Sequence, residues 1–192
     1  MTIDFIPEDF TQAVTSLKNH IFPPEIHITQ IPPPLHLAPY SVALHADITD
    51  TTTHTYLGEG SFVLLYDHEE QENWNGNMRI TLFATTPIDP LLSEDPLLGE
   101  VTWSYLKDSF HHVNAAFHSL HGTVTKVYNE TFSDVTSENS DAHIELRASL
   151  TPETPNCASH LQGWSLLLST LSGISINDFS SLDSTSPLHH VS

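Results

Sequence analysis

Cys157 and His160 are the nearest approach in this sequence to a nucleophile and its base. A thiol just ahead of a helix start has its thiolate favoured by the helix dipole, and an imidazole three residues on could take the proton. The surroundings oppose that chemistry. The chain carries 24 Asp and Glu against five Lys and Arg, a field that disfavours a thiolate, and no third group stands out to orient His160. Cys157 is therefore expected to be an inert residue near a helix cap. As the single cysteine, it also excludes an intrachain disulfide and a Cys-based structural zinc site.

Histidines offer a second chemistry. His111, His112, His118 and His121 lie close enough in sequence to suggest a metal cluster. His118 and His121 would share a face only on a helix, and Gly122 argues against one there. A zinc site would also want a well-placed third ligand, so these are expected as surface histidines; His189 and His190, near the end of the chain, could take adventitious metal only. Protonating all 14 His near pH 6.5 would bring the net charge from −19 to about −5. Their scatter reads as biased composition rather than a pH switch. Acidic pairs such as Glu69-Glu70 and Glu94-Asp95, and Glu153, fall in predicted loops with no apolar pocket to turn one into a general acid. Asp67 to Gly76 lacks the alternating acids and terminal Glu of a calcium loop. No glycine-rich phosphate loop is present. No catalytic residue, metal or cofactor is expected.

The five cations can be placed one by one. Lys18 and Lys107 fall on predicted helices, while Arg79, Lys126 and Arg147 fall on predicted strands. A charged strand residue must meet water, a carboxylate or a ligand. Arg147 shares a face with Glu145, so a salt-bridge ladder on the wet face of a sheet is the expected arrangement. A small anion-binding patch is the alternative.

The elements that would carry these residues follow from periodicity. Pro7, Glu8 and Asp9 suit a first helical turn, and Phe10, Ala13, Val14, Leu17 and Ile21 form one stripe until Pro23-Pro24 ends it. Ile31 to Pro34 reads as a stiff connector. Residues 40–48 alternate as a half-buried strand, Phe62 to Tyr66 is apolar on both faces and so central, and Met78 to Phe83 follows the Asn75-Gly76 turn. The acidic run from Asp67 to Glu72 reads as a solvated loop. A second helix begins after Asp95-Pro96 and carries Trp103, Tyr105, Leu106 and Phe110 over an arc too wide for one contact. Strands near 122–128 and 143–150 precede a last helix bearing Leu161, Trp164, Leu167, Leu168 and Leu171, with Gly173 as its cap. The order α-β-β-β-α-β-β-α gives an α+β fold: an antiparallel sheet of about five strands with helices on one face. Residues 1–176 are expected to form a single domain and 177–192 a disordered Ser-rich tail.

Leu37-Ala38-Pro39-Tyr40, Asp95-Pro96-Leu97-Leu98 with Val101-Thr102-Trp103-Ser104, Arg147 to Pro152, and His160 with Trp164 to Leu167 together resemble an actinobacterial family called domain of unknown function 3000. Trp74-Asn75-Gly76 and Gly122 to Thr125 fit the same pattern, and the resemblance runs in order from about Pro7 to Gly173. It implies a small cytoplasmic protein and carries no activity over to these residues. At the level of element order alone, the chain also looks like type III secretion chaperones. Those are acidic, dimeric α+β domains that bind segments of other proteins, and likeness of architecture is not evidence of function.

Charge decides the remaining exclusions. Nucleic acid and anionic membrane would both meet a repelling surface. No apolar run approaches the roughly 20 residues of a membrane span. Met1 to Phe5 carries an acid where a signal peptide would be basic, so a cytoplasmic location is expected. The reading is a non-catalytic protein-interaction module, chaperone-like or regulatory, with an unidentified protein partner. Trp103, Tyr105, Leu106 and Phe110 would offer its interaction surface, through which a homodimer could form. The alternative is an enzyme acting on a small molecule without a nucleotide cofactor.

Overall fold

Alternating apolar and polar side chains, with an apolar run from Phe62 to Tyr66 at its centre, build the sheet. In a computed structural model, which describes residues 6–34, 36–133 and 137–175, the elements run α1 (Glu8–Ser16), β1 (Ile26–Ile31), β2 (Tyr40–Thr49), β3 (Tyr56–Gln71), β4 (Gly76–Ile88), a short 3₁₀ turn (Pro90–Glu94), α2 (Leu98–His112), β5 (Phe117–Phe132), β6 (Ser137–Pro152) and α3 (Ala158–Leu171). The six strands form one antiparallel sheet in the order β1-β2-β3-β4-β6-β5. The fold is α+β, with one strand more than the sequence indicates. The tail expected from residue 177 lies outside the described residues, and no described helix is long and apolar enough to cross a membrane.

The additional strand is β1, at the edge. Ile26 stands opposite Ile48 and Ile28 opposite Ala46, so these two join the core while His27 and Thr29 face the other way. Prolines 23–24 and 32–34 bracket it, and a six-residue strand between prolines leaves little periodicity to read. Two more differences have local causes. α1 ends at Ser16 rather than reaching Ile21; Ile21 is exposed, while the Phe22 ring meets Trp164 edge-on. β3 continues through the acidic run to Gln71, where the Asp67 carboxylate accepts from the Glu69 N–H and the Gln71 amide. Pairing with β4 is irregular between Tyr66 and Gln71, and these local bonds take the place of ladder bonds there.

The three described helices lie on one face. Phe62, Leu64, Ile80, Leu82, Leu146 and Leu150 point from the central strands into a cluster with Ala13 of α1 and Leu17 just past its end, Leu106 and Phe110 of α2, and Leu161, Trp164 and Leu168 of α3. Gly60 permits the close approach of α3: a Cβ there would stand 2.8 Å from Leu168 Cδ2 and 3.2 Å from Trp164 Cζ2. At the head of α2, the Asp95 carboxylate accepts the Leu97 N–H at 2.8 Å, satisfying a donor that a helix start leaves open.

Candidate functional site

The opposite face of the sheet is where polar and apolar groups are left to meet something else. Strand pairing sets its side chains in rows: Asp47, Glu59, Thr85, Glu145 and Thr125 across one, and Ala43, Val63, Thr81, Ser149 and His121 across another. A small apolar cluster of Ala43, Val63 and Leu65, with Ile31, Ala38 and Trp74 packed on it, covers one end. Among the described residues, no helix residue joins that cluster.

Two of the hollows on this face gather groups that could do chemistry. The first, of about 420 Å³, is lined by Tyr56, Glu59, Phe83, Thr85, His143 and Glu145 among others. It is acidic. Burial first, and then the negative charges of Glu59 and Asp47, hold the Tyr56 phenol above its ordinary pKa. Beside it, His45 Nε2 lies 3.3 Å from an Asp47 oxygen, and His45, Asp47 and Glu59 bring ligand atoms within 4.8 Å of one another. Such a set could hold a divalent cation. Strand periodicity puts His45 and Asp47 on one face of β2, but adding Glu59 requires the β2–β3 register.

The second hollow, of about 540 Å³, is lined by Leu37, Leu65, Asn73, Trp74, Arg79, Thr81, His121 and Ser149. Arg79 is its cation and is only 5% exposed. Its guanidinium donates to the Ser119 carbonyl at 2.8 Å, Thr151 Oγ1 at 2.9 Å and Ser149 Oγ at 2.7 Å. A bulge between His118 and His121, with Ser119 at a φ of 50°, lets that carbonyl meet Arg79. Thr151 Oγ1 in turn donates to the Trp74 carbonyl at 2.5 Å. Burial pulls the guanidinium below its ordinary pKa, and no ion pair reaches it among the described residues.

The three strand cations therefore differ. Arg147 pairs with Glu145 at 3.0 Å and lies over the Phe83 ring at 4.7 Å, the arrangement expected on a wet sheet face. Lys126 stands opposite Ile144, on the helix side, and donates to the Asp95 carbonyl at 3.0 Å. Arg79 is buried among neutral acceptors. The three share no cleft, because Lys126 has the opposite strand parity to the two arginines.

The α2 residues expected as an interaction surface also divide. Leu106 and Phe110 are fully buried; Phe110 packs edge-on against Phe117 and closely over Gly163 of α3. They are corrected to core residues, because α3 covers the part of the arc that one sheet face could not. Tyr105 is exposed, Trp103 is half-buried against Gly122, and Leu97 and Val101 continue the exposed stripe one turn apart.

The sequence candidates for catalysis are not assembled into a site. Cys157 is fully buried and burial pushes its thiol up to about 12. His160 Nε2 is 2.9 Å from the Ala116 carbonyl, to which the ring donates. His111 and His112 are exposed at the end of α2, whereas His118 and His121 are on β5.

Family membership rests on the whole length of this fold. The profile of the family described as Protein of unknown function (DUF3000) matches residues 6–179, which takes in every described helix and strand. The chain belongs to the DUF3000 family. Neither the curated proteins nor the solved structures contain a match. Within the DUF3000 domain, Trp74, Arg79 and Thr85 come from the β4 stretch and Glu145 and Ser149 from β6, two segments that the pairing of β4 with β6 unites.

Proposed function

We propose that this domain is a non-catalytic interaction module of the cytoplasm, chaperone-like or regulatory, that takes a basic segment of a protein partner on the open face of its sheet. One observation carries the reading: the described helices all pack on one face of the six-stranded sheet, and the other face bears half-buried Phe83 and Trp74 and the acids Asp47, Glu59 and Glu145. Exposed apolar groups ringed by charge are what a docking segment buries. With a net charge of −19, the complementary partner is cationic, and steering would speed its arrival. Burial of Cys157 favours this reading over an enzyme that uses that thiol as its nucleophile.

Benzoylphenylalanine placed at the exposed Thr125, at the end of the acidic row, tests the reading by photo-crosslinking in cells. An adduct that maps to a Lys/Arg-rich stretch of another protein, and that is lost in Glu59→Lys/Glu145→Lys, is the expected result. An adduct to an acidic stretch, or adducts only from the same probe at Gln12 on α1, would overturn it.

A further inference from the structure

Burying a cation is costly unless a negative charge or a ligand compensates it. This chain has 24 acids with which to do so, yet the side chains around the hollow at Arg79 include none: Leu37, Leu65, Asn73, Trp74, Thr81, His121 and Ser149. The acids Asp47, Glu59 and Glu145 share one row at the other end of the open face. A guanidinium has five N–H donors, and the bonds to Ser119, Thr151 and Ser149 engage three of them. Hydroxyls and a carbonyl satisfy hydrogen bonding but leave the net charge standing. Around it, Leu37, Leu65 and Trp74 form an apolar wall, and Asn73, Thr81 and His121 add polar groups.

We propose that the Arg79 hollow is a binding site for a carboxylate that carries an apolar or aromatic body. The carboxylate takes the charge of Arg79 through charge-assisted hydrogen bonds, and the body lies against Trp74 and Leu65. A free organic acid and the C-terminus of a peptide share this chemistry. The site sits on the face through which the proposed partner docks, so it deepens that reading. Its test needs no partner.

Trp74 is the reporter, read as its indole N–H resonance and as tryptophan emission. The probes are 3-phenylpropionate, its neutral amide, and a short peptide ending in Phe with a free or an amidated C-terminus. The acid is expected to bind saturably and at least about tenfold more tightly than the amide, the loss of one charged hydrogen-bonded contact. A free-ended peptide that binds more tightly than the acid assigns the site to a C-terminus; the reverse order assigns it to a small acid. Arg79→Met should abolish binding, and Arg147→Met, on the same face but outside the hollow, should leave it unchanged. Because Arg79→Met removes three hydrogen bonds and could unfold the sheet, Ser149→Asp provides a second variant. It sets a carboxylate where Ser149 Oγ now lies 2.7 Å from the guanidinium, and should keep the fold while excluding the ligand. Equal binding of acid and amide, no binding of either, or undiminished binding by Ser149→Asp would make Arg79 a purely structural clamp across β4, β6 and β5. That result would leave the Thr125 crosslink standing, whereas loss of the crosslink alone would leave the carboxylate site standing.

Discussion

Trp164 of α3 packs directly on the backbone of β3 at Gly60, where a Cβ would stand 3.2 Å from its Cζ2 and 2.8 Å from Leu168 Cδ2. The indole N–H also donates to the Phe83 carbonyl of the next strand at 3.3 Å. This pair fixes how closely the helical layer sits on the sheet. Gly60→Ala should therefore destabilise the fold by about 1–3 kcal/mol, as overpacking does. Gly99, in the first turn of α2, has nothing within 4 Å of its Cβ position, and Gly99→Ala should be neutral or stabilise by up to about 1 kcal/mol. Urea denaturation of both variants checks the contrast; equal midpoints would show that α3 has room to move.

Cys157 should be silent toward thiol reagents in the native protein. Its side chain is fully buried, and burial raises its pKa to about 12, so thiolate at neutral pH is scarce. Ellman's reagent at pH 8 should react only after urea is added. Rapid reaction of the folded chain would contradict this burial and restore Cys157 as a nucleophile.

His160 makes stability depend on pH. Its pKa is lowered, by burial first, while the Ala116 carbonyl and the charge of Glu153 oppose the shift in part. Nδ1 is buried without a partner among the described residues. Since the folded pKa lies below the unfolded value near 6.5, the contribution is complete above that value. It declines as pH falls through 6.5 toward the folded pKa, because only the unfolded chain readily takes the proton. His20 shifts in the same direction, also by burial. Urea midpoints at pH 7.5 and 5.5 should therefore fall less in His160→Gln than in the parent; equal falls would remove His160 from the account.

The homodimer expected from the sequence now has a narrower surface to use. Leu97 at the cap of α2 and Val101 and Tyr105 on it follow one another a turn apart and are all exposed, Tyr105 by 40%. Sedimentation at micromolar concentration is expected to show a dimer that Tyr105→Ser weakens without unfolding. A clean monomer for the parent chain would rule out self-association through α2.

Local signals were legible in the sequence where one face of an element is buried. The run Ile144, Leu146, Ala148 and Leu150 reads as one face of β6, and all four are core residues; the same period marks residues 40–48. Signals that depend on distant residues were not legible. Leu106 and Phe110 read as surplus apolar area because nothing local shows that Gly163 of α3 opens space for Phe110. Arg79 reads like Arg147, a cation in a strand. What separates them is that its acceptors are 40 to 72 residues away in sequence, whereas Glu145 is two residues from Arg147.

β4 and β6 pair side by side, Ile80 with Leu150 and Ile88 with Ala142, although α2 and β5 lie between them in the chain. The consequence is kinetic. β1 to β4 form an up-and-down meander and β5–β6 a hairpin, each able to zip locally, but the seam between the two requires closure of a long loop. Loop entropy must be spent there before the contacts repay it, which slows folding more than it lowers stability. Docking of the two halves is the step that should limit the folding rate, and the bonds of Arg79 to Ser149 and Thr151 can form only once that step is complete.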